Sequence, residues 1–216
     1  MHDELALFVA NPEYPATLRD LATRGDVRRF RKSSILIHEG DLGETLFIML
    51  SGRVKIYCMD DHAREITFGI FGPGEYFGEM ALDGGPRSAS VITLEPTVCA
   101  VVRRQEILSF IGQYPEFSLE MLSKVIRRLR MATRDARNLA FIDVYGRLTR
   151  LLNELAVPLP DGRRRIAERI THQEIASRVG CSREMVSRIL KDLILGGYLV
   201  IEDHHIVLIG KLPQRW

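Results

Sequence analysis

The stretch from Pro115 to Phe141, PEFSLEMLSKVIRRLRMATRDARNLAF, constrains this chain more than any other. Leu119, Leu122, Ile126, Leu129, Thr133, Ala136 and Ala140 recur in it at alternating steps of three and four. That is the heptad spacing of a coiled-coil seam, narrower than the stripe of a helix lying on a globular core. The other faces carry Lys124, Arg127, Arg128, Arg130, Arg134 and Arg137, which suit water or an anion better than a core. Pro115 sits where a helix can start, with Glu116 just inside to meet the positive end of the dipole. An ordinary amphipathic surface helix and a seam for a second helix both fit this pattern, and the flanking chain has to distinguish them.

With 216 residues, 46% hydrophobic and 27% charged, the chain has room for two modest domains and the composition of a globular protein. No apolar run reaches the roughly 18–20 residues that span a bilayer. The acidic start MHDELALF lacks the basic and apolar regions of a signal peptide, so a cytoplasmic protein is expected. Cys58, Cys99 and Cys181 are far apart and form no CxxC pair, which writes neither a zinc ribbon nor an iron–sulfur ligand set. The net charge of +2 is small, but residues 127–150 carry seven arginines against two aspartates, which favours a phosphate-bearing partner.

Residues 3–24 read as helical, interrupted by Asn11-Pro12 and Tyr14-Pro15. From Val27 to Arg103 the texture changes to short β-rich pieces divided by glycine. They are Val27–Phe30, Ser34–His38, Thr45–Leu50, Val54–Met59, Glu65–Phe71, Ser88–Leu94 and Val98–Val102. Such spacing predicts an antiparallel sandwich or barrel-like roll. A short helix over Gln105–Gln113 precedes the long one. Beyond it, Val144, Leu148, Leu151, Leu152 and Leu155 share a helix face, and VPLPDG ends that helix with two prolines and an Asp-Gly turn. Thr171 and Glu174 form a capping box before a short helix to Val179, Gly180 makes a turn, and Ser182 caps a second helix ending at Gly196-Gly197. Tyr198–Glu202 and Ile206–Ile209 read as a two-stranded wing. The expected fold is α+β: an effector-binding roll over 1–114, a dimerisation helix and hinge over 115–140, and a winged helix-turn-helix over 141–216.

Helix, glycine turn and helix let one helix brace while the next enters the major groove. Early positions of that second helix meet base edges, here Ser182, Arg183, Glu184, Ser187 and Arg188. Arginine can donate two hydrogen bonds to guanine O6 and N7, and glutamate can accept from cytosine N4. A solvated charged face is the commoner fate of any one such residue. The tight SREMVSR grouping and the core spacing of Ile175, Ala176, Val179, Val186, Ile189, Leu190 and Leu193 weigh for DNA.

In the roll, YFGEM and PRSAS form a second informative pair. Gly78 lets a backbone amide approach an anion, and Glu79 can accept from ribose-type hydroxyls. Arg87 offers a planar fork to phosphate, and Ser88 adds a hydroxyl. A cyclic nucleotide has those chemical needs. The grouping His38, Glu39, Asp41 and Glu44 fits a strand-ending turn around Gly40 and Gly43 better than a metal site. His62, in the Asp60-Asp61-His62 turn, reads as solvated rather than as an axial haem ligand.

On ITHQEIASRVGCSREMVSRILKDL, NLAFIDVYGRL and FGEMALDGGPRSAS, over about residues 18–212, the chain resembles the Crp–Fnr family of bacterial transcription regulators. The resemblance implies that Arg183, Glu184 and Arg188 read a TGTGA-like half-site while Thr171, Gln173 and Ser182 contact phosphate. It implies a cyclic-nucleotide cassette with Gly78, Glu79, Arg87, Ser88 and Ala89, with Glu79 on the ribose and Arg87 and Ser88 on the cyclic phosphate. Thr133 would make the cross-subunit contact to the base. Two differences stand against the family's cyclic-AMP receptors: a shorter loop between Glu79 and Arg87, and Ala132 where they carry a first hydroxyl. Cyclic AMP is the first expected effector. Cyclic di-GMP is the second, with Arg130, Arg134, Arg137 and Asp135 available to guanine edges and a second phosphate, and an effector-free active regulator of the same fold is a further alternative. No metal, iron–sulfur cluster or haem is expected. The expected partners are double-stranded DNA with an inverted repeat, a second copy of the chain, and RNA polymerase near VPLPDGRRR, a loop shortened relative to family activators. No membrane partner is expected. No nucleophile, base or metal set for an enzyme appears at recognisable spacing, and a nucleotide-binding module without DNA function would leave residues 168–209 unexplained. In the expected mechanism, ligand at the cassette biases the pairing of the long helices, and a hinge near Leu139–Asp143 resets the recognition helices.

Overall fold

The structure, a computed structural model, describes residues 3–61 and 65–213, without the side chains of Ala81, Asp135 and 138–141. The sequence readings of His62, and of the Asp135 and Ala140 side chains, lie outside the described residues. The chain divides into two units, residues 1–58 with 67–128 and residues 59–66 with 129–216, and the long helix runs through the division.

Helices α1 (Asp3–Ala10) and α2 (Ala16–Ala22) open the first unit, separated at the two proline sites read from the sequence. Among the described residues eight strands follow: β1 (Asp26–Phe30), β2 (Ile35–Ile37), β3 (Thr45–Ser51), β4 (Val54–Met59), β5 (Glu65–Phe71), β6 (Tyr76–Phe77), β7 (Ser90–Thr93) and β8 (Thr97–Arg103). They form two sheets, ordered β1-β8-β3-β6 and β2-β7-β4-β5. Strand alternation sorts the core into two layers. Leu46, Ile48 and Leu50 of β3, with Val98, Ala100 and Val102 of β8, pack against Phe8, Leu18, Leu21, Ile107, Phe110 and Phe117 from the helices. Their neighbours Phe47, Met49, Cys99 and Val101 point the other way, with Ile37, Val54, Phe77 and Val91. The seven predicted strands are all present. The pair Tyr76–Phe77 is an eighth, too short to show a period, held antiparallel to Phe47 and Ile48.

Helix α3 (Arg104–Gln113) leads through Pro115 into α4 (Glu116–Phe141). On α4, Phe117, Met121, Lys124 and Arg128 recur at steps of four, three and four, one stripe of the helix. Phe117 is buried, and Met121 packs partly buried on the same core. At about 100° per residue this stripe lies roughly 150° around the axis from the heptad seam. The seam itself is bare: Leu119 is 67% exposed, Leu122 54%, Ile126 40% and Leu129 64%.

In the second unit α5 (Val144–Leu155) starts at Asp143, whose carboxylate accepts from the Gly146 amide at 2.7 Å. Helices α6 (His172–Val179) and α7 (Arg183–Leu195) form the helix-turn-helix. The wing is larger than the sequence predicts. Strands β9 (Ala156–Pro158) and β10 (Arg164–Ile166) join β11 (Leu199–Glu202) and β12 (His205–Leu208) in a sheet ordered β11-β12-β10-β9. The VPLPDG segment therefore ends a helix and also turns a hairpin, with Pro158 opposite Arg164. Proline is tolerated there because β9 is an edge strand. Leu148 and Leu152 of α5, Ile175 and Val179 of α6, Val186 and Leu190 of α7, and Leu199 and Leu208 of the sheet make this unit's core.

Candidate effector cassette and nucleic-acid interface

The cassette is built around an arginine turned inward. Arg87 is 7% exposed. Its Nη1 donates to the Gly78 carbonyl at 2.9 Å, and its Nη2 to the Thr45 carbonyl at 2.9 Å and the Thr45 hydroxyl at 3.1 Å. The turn at Glu39-Gly40 grips its backbone from both sides: the Gly40 amide donates to the Arg87 carbonyl and the Arg87 amide to the Asp41 carbonyl, each at 2.8 Å. The His38–Asp41 segment is thus a wall of the cassette. Two glycines make room for the guanidinium. A Cβ on Gly43 would sit 2.8 Å from Nη2, and one on Gly78, at φ +90°, would meet Nη1 and the Thr45 carbonyl at 2.7 Å. Burial pulls the Arg87 guanidinium below its ordinary pKa, against the pull of Glu79. Among the described residues the hydrogen-bond partners of this buried cation are neutral oxygens, so its charge is open to compensation by an anion.

After Gly78 the chain makes one 3₁₀ stretch, Glu79–Asp83. The Asp83 carboxylate accepts the Gly85 amide at 2.8 Å, closing the loop on the way to Arg87. Ser88 is exposed, its hydroxyl donating to the Met80 sulfur at 3.1 Å, and Ala89 is half-buried beside it. Glu79 is buried and engaged: Arg128 Nη1 donates to its Oε1 at 2.5 Å, and Arg128 Nη2 to the Tyr76 carbonyl at 2.7 Å. The same guanidinium lies 4.6 Å from the Phe71 ring centroid. The structure therefore gives Arg128, read from sequence as a water- or anion-facing residue, a role at the cassette. One turn earlier, the Lys124 ammonium lies 3.8 Å over the Tyr76 ring. Burial and nearby Arg128 push this lysine down to about 8, and burial pushes the Tyr76 phenol up to about 12. The one sequence signal for these two is the stripe they share with Phe117 and Met121. Thr133 belongs to the second unit, where it is exposed and its hydroxyl donates to the Leu129 carbonyl at 2.9 Å. Ala132 beside it is also exposed.

In the helix-turn-helix, Thr171 and Glu174 make the capping box: the Glu174 amide donates to the Thr171 hydroxyl at 3.2 Å, and the Thr171 amide to the Glu174 carboxylate at 2.7 Å. Gly180, at φ +71°, ends α6, and its amide donates to the Ala176 carbonyl at 2.9 Å. Arg147 of α5 holds this turn, donating to the Val179 carbonyl at 2.9 Å and the Ile142 carbonyl at 2.7 Å. Ser182 then caps α7 by accepting the Met185 amide at 3.2 Å. The turn leaves Gln173, Arg183, Glu184 and Arg188 exposed, with Thr171 and Ser182 exposed at the two helix starts. Glu184's own amide, then the Ser182 hydroxyl, hold its carboxyl below the usual range. Ser187 is half-buried, its hydroxyl 2.8 Å from Nδ1 of His172, a residue the sequence reading passed over. A cavity of about 1040 Å³ among Thr149, Asn153, Arg164 and Lys211 shares no residue with either predicted site.

These two sites coincide with two families. Residues 27–114 match the cyclic nucleotide-binding domain and residues 146–211 the Crp-like helix-turn-helix domain. The cAMP-activated global transcriptional regulator Vfr of Pseudomonas aeruginosa is 36% identical over 193 residues, 85% of this chain and 89% of that protein. The cAMP-activated global transcriptional regulator CRP of Pasteurella multocida is 32% identical over 203 residues, 91% of this chain and 92% of that one. Among solved structures, the c-di-GMP responsive global regulator CLP of Xanthomonas campestris superposes with a TM-score of 0.78 at 30% identity, covering 90% of this chain and 98% of its own. With a nucleotide-type roll and a Crp-like helix-turn-helix in one chain, and relatives of that identity along nearly its whole length, this protein belongs to the Crp–Fnr family of DNA-binding transcription regulators.

Proposed function

We propose that the chain works as a homodimer that binds an inverted repeat of TGTGA-like half-sites under the control of a cyclic nucleotide, cyclic AMP first. The observation that carries the nucleotide is the buried Arg87 guanidinium, whose hydrogen bonds among the described residues go to neutral oxygens of Gly78 and Thr45. A cyclic phosphate at Ser88 and the Gly78–Glu79 backbone would add a negative charge beside it. Glu79 would take a ribose hydroxyl through Oε2 while Oε1 stays with Arg128. The bare seam of Leu119, Leu122, Ile126 and Leu129 supports the second copy. Arg183, Glu184 and Arg188, exposed just after the Ser182 cap, support base reading. The proposed domain division is 1–114, 115–140 and 141–216, with the site residues those named in the sequence.

Cyclic di-GMP is the second reading, favoured by the likeness to the Xanthomonas regulator and by Ala132, which offers an adenine no hydrogen bond. Isothermal titration of the purified protein with each nucleotide separates them. The expected result is one cyclic AMP per chain, lost in Arg87→Leu. Binding of cyclic di-GMP alone would transfer the reading to the second nucleotide, and binding of neither would remove the cassette assignment. Electrophoretic mobility shift with an inverted-repeat fragment, with and without nucleotide, tests the output.

A further inference from the structure

The recognition segment contains a hydrogen bond that joins its two helices through side chains alone. His172 is the first residue of α6, and its Nδ1 lies 2.8 Å from the hydroxyl of Ser187 in the second turn of α7. Both residues are half-buried, while their neighbours Thr171, Gln173 and Arg188 are exposed. Ser187 stands four residues after Arg183 and three after Glu184, which makes it a neighbour of each on the helix surface. A serine hydroxyl carries one donor and two acceptor sites, and when unpartnered it rotates to offer whichever the neighbour needs. With its O–H donated to the imidazole Nδ1, it keeps acceptor sites alone in its remaining directions. Base edges in the major groove differ in their sequence of donors and acceptors, so a hydroxyl of fixed polarity discriminates where a free one does not.

We propose that His172 is a positioning residue for sequence reading: by holding the Ser187 hydroxyl it fixes which hydrogen-bonding polarity that hydroxyl turns to the DNA. The inference rests on the reading of α7 as the recognition helix. It adds a residue outside α7 to the specificity of the half-site.

The test is selection from a randomised inverted-repeat library, with affinity and thermal melting measured for each variant. Wild-type protein should show a preference at one half-site position that Ser187→Ala loses. His172→Phe, which fills the same space without a hydrogen bond to the serine, should lose it at the same position. The double variant should be no worse than either single one, each binding about two- to tenfold more weakly, the effect of one hydrogen bond. Melting temperatures should fall by no more than a few degrees, and His172→Asn, whose amide reaches about as far as Nδ1, should keep the preference. If His172→Phe returns the wild-type consensus at every position, or the two losses multiply in the double variant, the proposal is wrong. If the wild-type protein itself selects no sequence, the recognition-helix reading fails first and this inference goes with it.

Discussion

Arg87 and Lys124 are both cations drawn partly inside the first unit, and their chemistry separates their roles. An arginine cannot shed its proton, so Arg87 holds its charge in place on the Gly78 and Thr45 carbonyls whatever the pH. Lys124 can shed its proton, and its value near 8 means that it does so at mildly alkaline pH. From about pH 8 to its ordinary 10.5, the unfolded chain keeps a proton that the folded chain has released. Folding stability contributed by this group therefore rises with pH through that window, and its burial cost is fully present below pH 8. Lys124→Met removes the dependence. With solvent screening discounted, the stability of wild-type relative to this variant should rise by about 1–2 kcal/mol between pH 7 and 10. Parallel urea titrations at the two pH values measure the difference, and a constant gap would refute the depressed value. Arg87 was legible because PRSAS stands with YFGEM, and a glycine, a carboxylate, an arginine and a serine together have few structural uses. Lys124 and Arg128 were not, because a charged residue on a helix reads as solvated until the aromatic partner is known. Here the partner, Tyr76, lies 48 and 52 positions away in the chain.

At the scale of elements, α4 has two working faces, and only one was evident from its periodicity. The heptad seam stood out because six of its seven positions are apolar, whereas the stripe of Phe117, Met121, Lys124 and Arg128 mixes two apolar residues with two cations. The roll uses that stripe, and the seam stays bare: its four large aliphatic side chains are each at least 40% exposed. A second copy covering them would bury apolar area worth about 25 cal/mol per Å². Leu122→Glu combined with Leu129→Glu should weaken self-association by at least about a hundredfold. Because both positions are exposed in the single chain, its melting as a monomer should be little changed. Sedimentation equilibrium decides: a variant as dimeric as wild-type would place the interface elsewhere. The hairpin of β9 and β10 escaped the sequence reading for a different reason. Three-residue strands beside prolines carry no period, and their place is set by pairing with β12 in the finished sheet. The helix-turn-helix was read almost residue by residue, since its caps, glycine turn and core spacing are local signals.

For the whole molecule, the family assignment joins a nucleotide-type roll and a DNA reader in one chain, and thermodynamics then limits what the pair can do. If nucleotide changes DNA affinity by some factor, DNA must change nucleotide affinity by the same factor. Couplings of this kind are typically about 1–3 kcal/mol, roughly 5- to 150-fold. The expected outcome is that cyclic AMP tightens binding to the inverted repeat within that range, and that saturating DNA tightens cyclic AMP equally. Fluorescence anisotropy of labelled DNA gives the first ratio, and calorimetric titration of the protein–DNA complex gives the second. Gly78→Ala supplies the control, because its Cβ would collide with Arg87 and the Thr45 carbonyl within the cassette while leaving α6 and α7 untouched. That variant should bind DNA as ligand-free wild-type does and ignore nucleotide. Unequal ratios would mean that a third equilibrium, such as dimer formation on the α4 seam, is being measured with them. Repeating both titrations well above the dimer dissociation constant would restore equality. A wild-type DNA affinity that stays the same with saturating cyclic AMP and with saturating cyclic di-GMP would leave a regulator with no nucleotide switch. The buried charge of Arg87 would then serve only to lock the loop between Gly78 and Ser88.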